Sequence, residues 1–191
     1  MPLDYGRRPL LRVLTLCGLA IAAIVMGSAG CKVTSADVDT WKGTRKGPGK
    51  MVAVMLADKF EMQLRTYAAL ELVEMERQDI DGVAEMQRAI QKLEPDARTE
   101  IVKSLADGLI ELMSKPAAKP SPDGSPPPHQ VRAKDAAFLL VSSANPDVRE
   151  KLTRGVVGWY TADFNGRSLS GNFSAEQVVR GLGASAAKSL V

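Results

Sequence analysis

The stretch EMQLRTYAALELV, residues 61 to 73, decides the fold class of this chain. Its apolar residues return every three or four positions, which places Leu64, Ala68 and Leu72 on one face of a helix. Aromatic residues make up only 5% of the sequence, a low share for an all-β sandwich, whereas helix-favouring Ala, Leu, Met, Glu and Lys are common. The sequence therefore predicts an all-α protein.

Helical patterns of the same kind occur on both sides of this stretch. They are KMVAVMLADKF (50–60), DIDGVAEMQRAIQKL (79–93), DARTEIVKSLADGLIELM (96–113), RAKDAAFLLVSSA (132–144) and PDVREKLTRGVVGWY (146–160). Ser174 and Gln177 form a capping box, which predicts a last helix running to Val191. Residues 115–131, KPAAKPSPDGSPPPHQV, have no periodicity and are rich in Pro, Ser and Ala, which predicts a flexible linker or loop.

Three arginines mark a repeat within these patterns. Arg65, Arg98 and Arg149 each follow an apolar residue, and apolar residues also stand three, seven and eight places after each of them. Arg65 and Arg98 are 33 residues apart, whereas Arg98 and Arg149 are 51 apart, or 34 without the 17 residues of segment 115–131. A nearly constant period of this length is typical of stacked helix pairs. Chance similarity between amphipathic helices is the alternative.

The stretches LRTYAALELV (64–73) and NPDVREKL (145–152) resemble HEAT repeats, and more narrowly the HEAT-like repeats of bacterial exported proteins and lipoproteins. In the second stretch a Pro/Asp turn and an arginine open the second helix of a pair. The resemblance covers roughly residues 50–191 and implies a short right-handed α-solenoid that binds rather than catalyses. The proline-rich segment and the loop around Asn165 depart from an idealised array, which puts regular stacking there in question.

The first 30 residues have the layout of a secretory signal peptide. Arg7, Arg8 and Arg12 form a positively charged region, and residues 13–30 carry no charge and end in the small residues GSAG. A membrane-spanning helix is the alternative, because 18 uncharged residues reach the lower end of the length that crosses a bilayer.

The stretch GSAGC (27–31) resembles a bacterial lipoprotein signal, although Ser28 stands where Leu is usual. The resemblance implies cleavage before Cys31, lipidation of this residue and anchorage in the bilayer. Lys32, in place of Asp after the cysteine, implies by analogy with Gram-negative sorting an outer-membrane protein that faces the periplasm. Ordinary secretion with cleavage after Ala29 is the alternative.

These patterns divide the chain into five parts. They are a signal peptide (1–30), a lipidated tether (31–49), HEAT-like repeats (50–114), the proline-rich linker or loop (115–131) and a further HEAT-like segment (132–191). Thr34 and Asp37 are suited to start a short helix through Trp41, which Gly47, Pro48 and Gly49 would end. We interpret the basic residues of the tether as solvated, with contact to anionic head groups as the alternative.

The C-terminal stretch GLGASAAKSLV (181–191) is still apolar on one face and lacks a polar cap. We therefore expect the helical array to continue beyond the chain end, and docking of this end on another molecule is the alternative.

Composition and spacing argue against several functional classes. The net charge is +3, and without residues 1–30 the chain keeps 22 basic and 21 acidic residues, too balanced for a nucleic-acid partner. Both cysteines, Cys17 and Cys31, lie near the N-terminus, and the one histidine, His129, lies in the proline-rich segment, where nothing is expected to orient it. We therefore expect no catalytic residue, metal or cofactor, and no enzymatic activity.

The stretch GWYTADFNGR (158–167) has the composition of a binding site. Its aromatic residues stand beside adaptable polar ones, a combination that suits a protein or glycan contact. The candidate partner-binding residues are Trp159, Tyr160, Asp163, Asn165 and Arg167. The alternative is that Trp159 belongs to the core and that Asn165 and Gly166 form a simple turn.

The sequence thus predicts a membrane-anchored HEAT-repeat lipoprotein that acts as a non-catalytic scaffold for an unidentified protein in the bacterial cell envelope. A glycan-binding or glycan-cleaving envelope protein is the alternative. It would use the loop after Trp159 or the clustered carboxylates Glu71, Glu74, Glu76, Asp79, Asp81 and Glu85.

Overall fold

The structure is a computed structural model that describes residues 32–75, 79–117, 119, 121–122 and 124–189. These residues form helices joined by turns and loops, with no β-strand among them, so the predicted all-α class is confirmed. The predicted signal peptide and the lipidation site Cys31 lie outside the described residues. None of the described helices is both long and apolar enough to cross a membrane.

The described part of the chain contains ten α-helices. They are α1 (Ser35–Lys42), α2 (Gly47–Leu56), α3 (Met62–Glu74), α4 (Gly82–Gln91), α5 (Pro95–Ser114), α6 (Pro128–Leu140), α7 (Pro146–Ala162), α8 (Phe164–Arg167), α9 (Ala175–Leu182) and α10 (Ala184–Lys188). A short 3₁₀ helix, Val141–Ser143, continues α6.

Local residue chemistry explains where many of these helices begin. Thr34 and Ser174 form capping boxes with the residues three places later, as the sequence predicts. Asp81 and Asn145 cap α4 and α7 by accepting backbone N–H bonds of 3.0 and 2.9 Å. Proline occupies the first position of α5, α6 and α7, where its missing N–H costs nothing.

Six of the helices follow one another along the chain as α2 and α3, α4 and α5, and α6 and α7. We call α2, α4 and α6 the A helices, and α3, α5 and α7 the B helices. Each A helix packs against the next A helix, and each B helix packs against the next B helix. One continuous apolar core results, with Val73, Ile90, Leu105, Leu140 and Leu152 fully or almost fully buried in it.

The repeat arginines occupy the same position in the three B helices. Arg65, Arg98 and Arg149 each stand four residues after the N-cap, and each backbone N–H bonds to the carbonyl of that N-cap residue. Their guanidinium groups donate to carbonyl oxygens at the end of the preceding A helix. The acceptors are Met55 at 2.8 Å, Leu93 at 2.9 Å and Ala144 at 3.2 Å, respectively. Each arginine therefore contacts the carbonyl end of the segment that precedes its own helix, although the acceptor stands ten residues before Arg65 and five before Arg98 and Arg149.

Several boundaries differ from the sequence prediction. The predicted tether 31–49 contains the whole of α1, a short turn and the start of α2, and Gly47, Pro48 and Gly49 form the first turn of α2 instead of ending α1. Residues 128–131 of the predicted proline-rich loop belong to α6. The predicted last helix is interrupted at Gly183, whose φ of 55° is left-handed and stops α9.

Candidate functional site

An open groove of about 700 Å³ lies across the middle of α5 and the first turns of α7 and reaches the start of α3. We call it the B-helix groove. Met62, Ala106 and Val148 supply its apolar part, and Ser104 its hydroxyl group. Five charged side chains also line it: Glu100, Lys103, Asp107, Asp147 and Lys151. An apolar floor beside charges of both signs is the composition of a protein-contact surface.

The floor of the groove is held by contacts between the B helices. Thr66 of α3 donates a 2.8 Å hydrogen bond to the hydroxyl of Ser104 on α5. The Ser104 hydroxyl lies 2.9 Å from the carbonyl of Ile101 and 3.5 Å from the sulfur of Met62, each a candidate acceptor of its proton. This half-buried network fixes α3 and α5 relative to one another beneath the groove.

The charges of the groove are mostly available to a ligand. Lys151 of α7 and Asp107 of α5 form an ion pair between the two helices, and their side chains are 46% and 78% exposed. Glu100, Lys103 and Asp147 are exposed and form no ion pair with any described residue. Because exposed pairs contribute little to stability, these side chains are free to exchange partners on binding.

The two aromatic residues of the candidate partner-binding site are buried in the structure. Trp159 and Tyr160 are only 4% and 5% exposed, so neither ring is presented to a partner, and the alternative interpretation, that Trp159 belongs to the core, is the one the structure supports. The Trp159 indole N–H donates to Oε1 of Gln130 at 3.3 Å, and the Tyr160 hydroxyl donates to the carbonyl of Phe173 at 2.6 Å. Both rings therefore pack in the core, and the indole N–H and the phenol hydroxyl find hydrogen-bond acceptors inside it.

The polar residues of the same stretch shape a turn beside this core. The Arg167 guanidinium stacks 4.9 Å from the Trp159 ring centre and donates to the Trp159 carbonyl at 2.7 Å. Asp163 caps the short helix α8 by accepting the Gly166 N–H at 3.1 Å. Asn165 is exposed, and so is Phe164, at 58%. Phe164 is thus the aromatic residue that this stretch presents to solvent.

A buried ion pair covers the inner side of Trp159 and Tyr160. Lys134 is fully buried and pairs with its neighbour Asp135. Its ammonium group also donates to the carbonyls of Ser170, at 3.0 Å, and Phe173, at 2.7 Å, and lies over both aromatic rings. Asp135 accepts the Asn172 N–H at 2.8 Å. The pair therefore fastens loop 168–173 to α6.

Burial perturbs the ionisable groups of this cluster in opposite senses. It lowers the pKa of Lys134 by disfavouring the ammonium form, although the hydrogen bond and charge of Asp135 act against this effect. Burial, followed by the charge of Asp135, raises the pKa of the Tyr160 hydroxyl. Because none of these side chains is exposed, the cluster has a structural role.

The sequence analysis did not identify the Lys134–Asp135 pair or the B-helix groove. The signal for the pair is two adjacent charges within RAKDAAFLL, a segment whose Ala133, Ala136 and Ala137 are all buried. For the groove, the exposed charges of α5 and α7 look like any solvated helix face. Only the packing of these helices brings them together.

The carboxylates considered for glycan chemistry have polar partners within the protein wherever the structure describes them. Glu71 pairs with Lys42, Glu74 with Lys115 at 3.0 Å, and Glu85 with Arg88 at 2.8 Å. Asp81 caps α4, Asp79 has a polar interaction of its own, and Glu76 lies outside the described residues.

His129 lies on the first turn of α6. Its Nε2 is 2.8 Å from the carbonyl of Lys115, an oxygen that also accepts from Gln130 at 2.7 Å. The prediction that nothing orients His129 is therefore wrong. The contact closes the base of the proline-rich loop.

Within the described residues, no group of three His, Cys, Asp or Glu side chains is placed to hold a metal ion. Comparisons of the chain with protein-family models, with curated proteins and with solved structures found no significant match.

Proposed function

We propose that this protein is a lipid-anchored, non-catalytic scaffold of the bacterial cell envelope, and that its helix pairs form a short HEAT-like α-solenoid which binds another protein. The observation that carries this proposal is the equivalence of Arg65, Arg98 and Arg149. Each begins a B helix at the same position and caps the preceding A helix. Stacked pairs of this kind present one continuous face, and such faces serve as binding surfaces.

The B-helix groove is the proposed contact surface. It crosses α5 and α7 and includes Met62 of α3, so a bound segment would contact all three helix pairs. Its apolar floor suits the buried anchor of a protein partner, and its exposed lysines and carboxylates suit a polar rim. We do not propose the acidic stretch around Glu71 and Glu74 as a contact surface, because these carboxylates already form ion pairs with Lys42 and Lys115.

The anchor is proposed to be an acylated Cys31 that becomes the mature N-terminus. Two or three acyl chains on one residue give the multiple hydrophobic signals that stable anchoring needs. Lys32 at the following position favours sorting to the outer membrane, with the helical body in the periplasm.

Mass analysis of the mature N-terminus tests the anchor. The full chain is expressed in a Gram-negative bacterium, and we expect cleavage before Cys31 with acylation, abolished in Cys31→Ser. A mature chain that begins with an unmodified residue would contradict the proposal.

Crosslinking in intact envelopes, followed by purification of the anchored protein, tests the scaffold. We expect a protein captured by the wild type to be lost from Lys103→Glu/Lys151→Glu and retained by the control Lys59→Glu/Lys92→Glu, which makes the same charge change at exposed sites outside the groove. Equal capture by both variants would exclude the groove. Release of soluble glycan fragments by the purified protein would instead support an enzyme.

A further inference from the structure

The folded body begins very close to the proposed anchor. Helix α1 starts at Ser35, so only Lys32, Val33 and Thr34 separate it from Cys31. Four Cα-to-Cα steps of extended chain span at most about 14 Å. An acyl anchor on Cys31 would therefore hold the first turn of α1 within about this distance of the lipid head groups.

A cluster of exposed cations lies at the other end of α1. Arg45 and Lys46 stand in the turn between α1 and α2, and Lys50 lies on the first turns of α2. All three are exposed, and Arg45 and Lys46 form no ion pair with any described residue. We call Arg45, Lys46 and Lys50 the basic corner. Helix α1 has eight residues and is about 12 Å long. If α1 lies along the membrane surface, the basic corner at its C-terminal end and the anchored N-terminal end can both contact that surface.

Trp41 adds an aromatic group to this corner. Its ring is half-buried, with the Lys50 ammonium 5.0 Å from the ring centre. Tryptophan beside lysine is a pairing favoured at the membrane–water interface, where an amphipathic ring and a cation meet the head groups. The turn is also tightly packed against α1, because a Cβ on Gly47 would lie 1.8 Å from the Trp41 carbonyl oxygen.

The nearby acidic residues are already engaged. The Asp37 carboxylate accepts hydrogen bonds from the backbone and hydroxyl of Thr34 at 2.8 and 2.9 Å. Asp39 accepts from the Tyr67 hydroxyl at 2.6 Å and lies 3.7 Å from Lys42. Residues 43–46, which form the turn between α1 and α2, include Arg45 and Lys46 and no carboxylate, so the charge that the turn presents to solvent is positive.

We propose that the basic corner lies against anionic lipid head groups of the membrane that holds the anchor. This inference rests on the lipid anchor proposed above, and it adds an orientation of the body on that membrane. Each cation near an anionic surface strengthens binding by about fivefold, so three together contribute roughly 100-fold, an effect that salt weakens.

Fluorescence quenching in reconstituted vesicles tests the proposal. The acylated full-length mature protein is inserted into vesicles with nitroxide-labelled head groups, made of phosphatidylcholine alone or with phosphatidylglycerol. Trp41 reports contact, because Trp159, the other tryptophan, is buried. We expect stronger quenching of Trp41 in the anionic vesicles than in the neutral ones. The variant Arg45→Glu/Lys46→Glu/Lys50→Glu should lose this difference. The control Lys92→Glu/Lys119→Glu/Lys188→Glu, which reverses the charge of three exposed lysines elsewhere, should keep it.

The outcomes separate this inference from the proposed function. Circular dichroism spectra of the two triple variants that match the wild type establish that the fold is kept. If the protein is acylated and its Trp41 quenching does not depend on lipid charge or on the basic corner, the orientation on the membrane is wrong while the anchor stands. If the mature N-terminus carries no acyl chain, the anchor fails and this inference fails with it.

Discussion

Nε of Arg65 donates a 2.8 Å hydrogen bond to the carbonyl oxygen of Met55, which lies in the last turn of the preceding helix. Met55 is fully buried and Arg65 is only 8% exposed, so this carbonyl has little access to water. A helix C-terminus leaves carbonyl groups without intrahelical partners, and the arginine satisfies one of them. The contact therefore joins the two helices of the first pair and removes the cost of burying a bare carbonyl.

Replacing Arg65 by alanine is expected to lower the free energy of unfolding by about 1–3 kcal/mol, because the buried Met55 carbonyl loses its donor. Arg149→Ala is expected to cost less, since Arg149 is exposed and water can replace it. Urea unfolding followed by circular dichroism measures both. As a control, Arg154→Ala removes only an exposed pair with Glu150 and should change stability by less than about 0.5 kcal/mol. Equal effects of Arg65→Ala and Arg154→Ala would contradict the role given to Arg65.

Two glycines in helices are expected to respond oppositely to alanine. A Cβ at Gly82 would lie 1.9 Å from the Leu72 carbonyl oxygen, so Gly82→Ala would push α4 away from α3 and cost about 1–3 kcal/mol. A Cβ at Gly158, within α7, would meet no atom within 4 Å beyond its chain neighbours and the local helix backbone, and Gly158→Ala should stabilise the fold by about 0.5–1 kcal/mol. Thermal unfolding midpoints measure both changes. A Gly82→Ala variant as stable as the wild type would mean that the helices do not approach this closely.

The features that depended on local chemistry were predicted from the sequence. The capping boxes at Thr34 and Ser174 need only residues three places apart, and the structure contains both. The apolar period around Leu72 likewise specifies a buried helix face without reference to the rest of the chain.

The features that depended on distant residues were mispredicted or missed. Gly47, Pro48 and Gly49 look like a helix stop, yet the missing side chain of Gly47 lets α2 begin against the Trp41 carbonyl. The sequence also leaves open whether Trp159 faces a partner or belongs to the core, because the group that satisfies its N–H is Gln130, 29 positions earlier. No local pattern encodes such contacts, and the B-helix groove was missed for the same reason.

The buried Lys134–Asp135 pair is expected to be strongly coupled. Lys134→Met leaves the Asp135 charge buried without its partner, and Asp135→Leu does the same to Lys134. Each substitution should therefore lower the free energy of unfolding by about 3–5 kcal/mol. The double variant should lower the free energy of unfolding by less than the sum of the two single variants, although the Ser170 and Phe173 carbonyls still lose their donor. Urea unfolding of the four proteins gives the coupling energy.

The exposed pair Arg180–Glu176, with side chains 79% and 74% exposed, is the control for this cycle and should couple by only about 0.3–0.5 kcal/mol. Additive effects at Lys134 and Asp135 would exclude a coupled pair.

The raised pKa of Tyr160 predicts a loss of stability at high pH. Burial and the charge of Asp135 raise the pKa of its hydroxyl above the ordinary value of 10.0. Below that value both folded and unfolded states keep the proton, so the contribution of Tyr160 is complete. As the pH rises further, the unfolded state loses the proton first and unfolding becomes more favourable. The difference in free energy of unfolding between the wild type and Tyr160→Phe should therefore shrink from about pH 9 to about pH 11. Ultraviolet titration of native phenolate absorbance gives an independent measure, and a constant difference between the two proteins would contradict the raised pKa.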